Sequence, residues 1–389
     1  MEQAIAAEAF RIAVPDAALA DLRLRLGSTR WPAEPEGAAW RLGANLGYMQ
    51  QFVVRWRDAY DWRAEEAALN GLPQYRAEVG GLKIHFLYCP GVGPNPKPLL
   101  LTHGWPGSVF EFRDIVAPLA DPARFGGDAA DAFTVIAPSL PGYGFSAPPA
   151  APMTPAEIAD LWHLLMSGVL GFPRYFAHGG DWGSVVTSEL ARRHGDAVTA
   201  IHLTMLGLRP ALGEGAPPLS EAERNWVKLT RERLRREGGY QEIQGTRPQS
   251  LAYGLTDSPA GLAAWIVEKY HGWPGAKADQ PPPFAMDRLI TQVMLYWLNG
   301  INAPNWLYWA VRNRGGLTLK PGERVEVPTG VAFFPFDLFP VPPAEWVVRI
   351  YNVVDRRDFD RGGHFVAMEN GPLLVEELRR FFRAFRDRS

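Results

Sequence analysis

The chain has 389 residues, 47% of them hydrophobic and 21% charged, with 40 basic side chains against 42 acidic ones. The hydrophobic share excludes wholesale disorder, the length allows two domains or one large domain with insertions, and the missing basic surplus argues against nucleic acid as a partner. A single cysteine, Cys89, excludes an internal disulfide and a multi-cysteine metal site, and it reads as an ordinary strand residue.

Met1-Glu2-Gln3-Ala4-Ile5 has neither a basic n-region nor a long apolar run. No stretch approaches the roughly 18–20 apolar residues of a membrane helix, so no membrane anchor is expected and the expected compartment is the cytoplasm. Residues 1–75 read as helices and loops. Asp16 is placed to cap a helix over residues 17–26 that stops at Gly27-Ser28-Thr29. A second helix, over 45–60, carries Leu46, Met49, Val53 and Trp56 on one face. Residues 82–88 partly alternate, as a half-buried strand does.

The pattern then changes to short apolar runs separated by helices. Pro98-Leu99-Leu100-Leu101-Thr102 leads into His103-Gly104-Trp105-Pro106-Gly107-Ser108, and the run 133–138 ends in Pro141-Gly142-Tyr143-Gly144-Phe145-Ser146. A helix near 155–168 precedes the run 174–178, which ends in Gly179-Gly180-Asp181-Trp182-Gly183. A helix with Val185, Val186, Leu190 and Ala191 follows, and 197–203 is a fourth run. Buried runs that alternate with helices and end in turn-rich loops predict an α/β fold with a doubly wound, mostly parallel sheet. Ligands of such sheets sit beyond the carboxyl ends of the strands.

From 213 to 322 the alternation stops and helical stretches dominate, charged over 221–237 and apolar over 260–270 and 289–298. This region reads as an inserted helical lid. Strands are expected again at 325–336 and 346–353, with a closing helix at 373–385. The expected organisation is therefore an N-terminal region at 1–75, a core at 76–212, the lid at 213–322 and the rest of the core at 323–389. Fourteen Trp and twelve Tyr suggest a cavity lined by aromatic side chains.

Gly179-Gly180-Asp181-Trp182-Gly183 has the spacing of a nucleophile elbow, in which small flanking residues permit a sharp strand-to-helix turn. The central residue is Asp, and no G-x-S-x-G occurs elsewhere. An Asp that merely caps the following helix is the plainer alternative. As a nucleophile, Asp is already anionic at neutral pH and suits attack on a strained or activated sp3 carbon, giving an alkyl ester. The helix N-terminus behind it favours the anion. Hydrolysing that ester needs a water, a general base and donors for the oxyanion. His364, in Arg361-Gly362-Gly363-His364-Phe365, lies between the last strand and the last helix, in the order nucleophile, acid, histidine. His103 and His178 sit where they would brace turns. Asp337, after Phe333-Phe334-Pro335-Phe336, is the acid we favour over Asp355, Asp358 and Asp360, which fall in a polar loop. Thr204-Met205-Leu206 leaves no acid after the fourth strand. The oxyanion donors expected are the backbone amides of Trp182 and Trp105, and Trp105-Pro106 is a candidate cis bond.

Together these motifs resemble the microsomal-type epoxide hydrolases, α/β-hydrolase-fold enzymes with an aspartate nucleophile. The N-terminal stretch, with Phe10-Arg11-Ile12, Arg30-Trp31-Pro32 and Tyr60-Asp61-Trp62-Arg63, is similar to the meander region of that family. The likeness covers nearly the whole chain. The membrane anchor of mammalian members is not expected in this chain, and Asp337 stands where some relatives carry Glu. The resemblance implies two lid tyrosines that donate to the epoxide oxygen. These match Tyr240 and Tyr308, with Tyr296 a rival for the second place. It also implies an epoxide and water as substrates, a vicinal diol as product, and neither metal nor organic cofactor. A homodimer is left open. The rival readings are a haloalkane or fluoroacetate dehalogenase with the same elbow, and a non-catalytic binding protein of the same fold. Lid aromatics suggest a bulky aryl or alkenyl epoxide. The Ala-, Arg-, Gly- and Pro-rich composition suggests a high-GC bacterium, with detoxification and secondary metabolism both open as roles.

Overall fold

A computed structural model describes residues 7–388. The expectations for Met1 to Ile5 lie outside the described residues. A two-residue strand β1 (Glu8–Ala9) is followed by helices α1 (Asp16–Gly27), α2 (Leu46–Asp58) and α3 (Trp62–Leu69). The core then runs β2 (Gln74–Val79), β3 (Leu82–Cys89), β4 (Lys97–Thr102), α4 (Arg113–Ala120), β5 (Phe133–Pro138), α5 (Pro155–His163), β6 (Tyr175–Gly179), α6 (Trp182–Arg193) and β7 (Val198–Leu203). Six helices interrupt it: α7 (Glu221–Glu237), α8 (Gly239–Thr246), α9 (Pro248–Asp257), α10 (Pro259–Gly272), α11 (Met286–Asn299) and α12 (Asn302–Arg314). β8 (Val325–Phe333), α13 (Ala344–Val348), β9 (Tyr351–Asp358), α14 (Val366–Glu369) and α15 (Gly371–Arg383) complete the chain.

The strands form one sheet in the order β1-β2-β3-β5-β4-β6-β7-β8-β9. β1, β2, β3 and β5 pair antiparallel, and every pair from β5 through β4 to β9 is parallel. Helices on both faces bury β4 to β7, which accounts for their near-continuous apolar runs. Thr102 lies beside Gly179 in register. The loops that leave β4 and β6 are therefore neighbours at the carboxyl edge, where this class of sheet holds its ligands. α1 and α2 pack on α10 and α11, so the N-terminal helices brace the inserted ones. Among the described residues, no helix is long and apolar enough to cross a membrane.

The architecture is the α/β-hydrolase fold, as expected, with local corrections. Asp16 does not cap α1: the helix begins on Asp16 itself, Pro15 takes the cap position, and the Asp16 carboxylate pairs with Arg63. Asn45 does cap α2, accepting from the Tyr48 amide at 2.9 Å. The helix expected over 155–168 is α-helical only to His163, and a wider turn covers 164–169. Residues 346–353 are not one strand. Trp346, Val347 and Ile350 are buried at helical spacing after Pro343, and the edge strand starts only at Tyr351. β2, with the short β1 beside it, pairs with β3 and was not anticipated.

Candidate active site

β6 hands the chain to α6 through Asp181, whose backbone has φ 50° and ψ −127°. A non-glycine residue at positive φ costs on the order of 1–3 kcal/mol and persists only where its surroundings impose it. Here the packing imposes it. Any side chain at Gly183 would collide with the Thr102 carbonyl, and any at Gly179 with the Gly183 carbonyl. Asp181 stands at the cap position of α6 yet makes no capping hydrogen bond. Its carboxylate points away from the helix, so the plainer reading of this residue does not hold.

Two groups meet that carboxylate. The Trp105 amide donates to Oδ1 at 2.8 Å, and His364 Nε2 lies 3.5 Å from Oδ2. The Trp105-Pro106 bond is cis. The Trp182 amide makes no hydrogen bond to the carboxylate among the described residues, so one of the two expected donors is engaged. His364 is held on its far side by Asp337, with Nδ1 2.6 Å from Oδ1. Asp337 follows β8 in a short loop and also accepts from the Leu338 amide at 2.5 Å. Of its rivals, Asp355 is paired with Arg380 and Asp358 with Arg356, both on edge strand β9 rather than in a loop, and Asp360 is exposed.

Two residues that the motifs did not reveal shape the histidine loop. Glu369 accepts from the Gly363 and Phe365 amides, each at 2.8 Å, and so clamps both neighbours of His364. Trp273 is fully buried, its ring edge-on to His364 at 4.7 Å, and its carbonyl accepts from the His364 amide. Neither lies in a recognisable pattern. His103 and His178 are fully buried braces, as expected. His103 Nε2 accepts from Leu140 at 3.1 Å, and burial pushes its imidazole down to about 4. Burial and His202 push His178 down as well.

A cavity of about 380 Å³ opens from Asp181 between the sheet edge and the inserted helices. Trp182, Trp226, Trp346, Leu234 and Val311 give it an apolar, aromatic lining. Tyr240 on α8 and Tyr308 on α12 also line it. The Tyr240 ring stacks on Trp105 at 4.9 Å, and its hydroxyl accepts from Gln241 at 2.8 Å, which leaves the phenolic proton free. The Tyr308 ring stands edge-on to Tyr240, Trp105 and Trp182, and its buried hydroxyl has no hydrogen-bond partner among the described residues. Tyr296 is elsewhere: its hydroxyl donates to the Gly107 carbonyl at 2.7 Å. The cavity thus receives Tyr240 and Tyr308 and excludes Tyr296.

The charges are coupled. Burial alone would lower His364, but Asp337, then the hydrogen bond and charge of Asp181, push it up to about 10. Burial, followed by the charge of Asp181, holds Tyr240 far above the usual phenol range. Burial, Tyr240 and Asp181 do the same to Tyr308. Asp337, His364 and Asp181 in line, an amide on the carboxylate and two phenols over an apolar cavity can support attack by a carboxylate on a carbon whose leaving oxygen needs a hydrogen bond. Among the described residues, no cluster of three His, Cys, Asp or Glu side chains could hold a metal ion.

Residues 7–112 match the family described as epoxide hydrolase N terminus, and residues 97–236 match the alpha/beta hydrolase fold. The chain is 42% identical over 382 residues to a putative epoxide hydrolase of Stigmatella aurantiaca, covering 97% of this chain and 85% of the relative. The juvenile hormone epoxide hydrolase of the silkworm Bombyx mori superposes with a TM-score of 0.86 at 28% identity, over 99% of this chain and 96% of that one. The Aspergillus niger epoxide hydrolase superposes with a TM-score of 0.83 at 31% identity, over 98% and 97%.

Proposed function

This chain belongs to the epoxide hydrolase family and is a hydrolase of that kind, and on that premise we propose that it opens its epoxide through a covalent ester on Asp181. The observation that carries the proposal is the Asp181 carboxylate itself, on a strained turn, bonded on Oδ1 by the Trp105 amide and faced on Oδ2 by His364. Oδ1 is occupied by its donor, so Oδ2 is the oxygen free to attack an epoxide carbon. The ring carbon–oxygen bond breaks, its electron pair goes to the epoxide oxygen, and the Tyr240 and Tyr308 phenols donate to the alkoxide that develops. Those phenols sit high because they are buried and face Asp181, so they serve as hydrogen-bond donors rather than strong acids.

Ester formation itself prepares the second step. It removes the charge of Asp181 and its hydrogen bond to His364, two of the influences that hold the imidazole up. Burial, which pulls His364 down, and Asp337 remain, so His364 can give up the proton it carries at rest, which reaches the alkoxide by way of the phenols, and is then the neutral base the next step needs. Its Nε2 takes a proton from water as the water oxygen bonds to Asp181 Cγ. The Trp105 amide and the unpaired Trp182 amide then hold the oxyanion. The tetrahedral species breaks its Cγ–Oδ2 bond, and the diol leaves with that oxygen of Asp181 and the proton from His364. The new carboxyl, which keeps an oxygen from water, passes its proton back to His364 and is a carboxylate again. In this scheme residues 213–322 are the lid over the substrate, and the apolar, aromatic cavity suits a bulky epoxide, aryl or alkenyl, without a cofactor.

Single turnover in ¹⁸O-water tests the scheme, with the diol analysed by mass spectrometry. The expected diol is unlabelled, because its new oxygen comes from Asp181. Full labelling in the first turnover would mean direct attack by water and would end the covalent route. Turnover of an epoxide panel, against no halide release from haloalkanes, sets the reading apart from dehalogenation.

A further inference from the structure

Asp181 lines a second, much smaller cavity of about 30 Å³, and among the described residues it is the only one to line both. His364 borders this chamber too, with Gly107 and Glu111 from the loop after β4. A water molecule needs roughly 10–15 Å³ of such space, so the chamber holds about two and no organic substrate. Water is retained in a protein only where polar groups bind it.

Glu111 supplies such a group. Its carboxyl has neither a hydrogen bond nor an ion pair among the described residues, and its oxygens are not among the sealed orphan atoms of the interior, so they open onto the chamber. They also lie against the Gly107 backbone, where any added side chain would strike Oε2. A half-buried carboxyl without protein partners is unfavourable, and bound water removes that cost.

We propose that this chamber is a dedicated water site for the second half-reaction, and that Glu111 is the positioning residue that holds the water between itself and His364 Nε2. The proposal rests on Asp181 as nucleophile. It separates the two reactants in space: the epoxide reaches Asp181 from the large cavity, and water reaches the ester from the small one. Burial pushes the Glu111 carboxyl up to about 8; His364 pulls against this, Asp181 adds to it and Arg288 pulls against it. At neutral pH the group is mostly protonated, so it both donates to and accepts from water while leaving the base's task to His364. The step balances as before, with the water proton going to His364 and none to Glu111.

Pre-steady-state kinetics of Glu111→Leu test this, because Leu keeps much of the size and removes both the donor and the acceptor that would hold the water. Alkylation, read as the single-turnover fluorescence phase, should stay within about twofold of wild type. Ester hydrolysis should slow roughly 10²-fold, the cost of a misplaced reactant, and the alkyl-enzyme should accumulate as a mass adduct in the steady state. Gly107→Ala, which pushes the Glu111 carboxyl into the chamber, should shift the balance the same way and covers the case of a poorly folding Glu111 variant. Equal slowing of both steps would mean a general structural role and overturn the proposal, as would unchanged hydrolysis in both variants. A crystal structure with no water within hydrogen-bond distance of Glu111 would also overturn it. Absence of any adduct even in wild type with a trapped base would instead point to a failure of the Asp181 reading.

Discussion

Tyr308 and Tyr296 lie on adjacent helices, both buried and both beside other aromatics, yet their hydroxyls predict opposite outcomes on removal. Tyr308→Phe deletes a hydroxyl that bonds to nothing among the described residues. Its removal costs the fold no hydrogen bond and relieves an unsatisfied polar group, worth about 1–3 kcal/mol, so urea unfolding should be unchanged or shifted to higher stability. Alkylation should nonetheless slow by roughly 10²–10³, about 2.7–4 kcal/mol of barrier, the usual effect of losing one donor to a developing oxyanion. Tyr296→Phe deletes a 2.7 Å hydrogen bond and leaves the Gly107 carbonyl without it inside a buried loop. That variant should lose about 1–3 kcal/mol of stability and keep alkylation within a few-fold of wild type. Stopped-flow tryptophan fluorescence in single turnover reads the alkylation step, since Trp105 and Trp182 both adjoin Tyr308. If Tyr296→Phe proves the slow enzyme while Tyr308→Phe alkylates normally, the donor is on the wrong helix in this account. If neither slows, no phenol donor is required at all.

The remaining expectations concern the triad. His364→Gln should form the ester but not hydrolyse it, giving a mass increase equal to the substrate, and Asp181→Ala should show none; an adduct in Asp181→Ala would place the nucleophile elsewhere. The His364 imidazole, raised to about 10 in the resting enzyme, should titrate lower in Asp181→Ala when followed by NMR, and an unchanged value would refute the coupling on which the second step depends. Because its folded pKa is raised above the unfolded value, the contribution of His364 to stability is complete below about pH 6.5 and is lost as pH rises through about 10. Asp337→Asn removes the largest influence that raises His364, so this alkaline loss should move to lower pH, seen as a changed pH dependence of urea unfolding.

Much of this protein was legible in its sequence because the constraints are local. A sharp strand-to-helix turn tolerates only glycine at 179 and 183, since the backbone carbonyls of Gly183 and Thr102 leave no room for a side chain. The rule is local at 179 and imposed by neighbouring strand β4 at 183, but the glycine spacing it leaves marks Asp181 in the sequence. Chain order and a glycine-rich loop did the same for His364, and the end of a buried strand did so for Asp337. Buried parallel strands carry apolar runs whatever covers them, so the sheet was readable too. The apolar run at 346–353 was misread because length and hydrophobicity alone do not separate a short helix from a strand, and burial at helical spacing decided it. The resemblance already matched Tyr308 and left Tyr296 as its rival, since both sit on helices with aromatic neighbours. Only packing separates their places, the Tyr296 hydroxyl on the Gly107 carbonyl and Tyr308 in the lining of the cavity. Glu369 reaches back only a few residues to the histidine loop, whereas Trp273 and Glu111 come from separate segments that fold onto that loop or behind Asp181. Their significance is a matter of distance in space and of burial, and those quantities exist only once the chain has closed on itself.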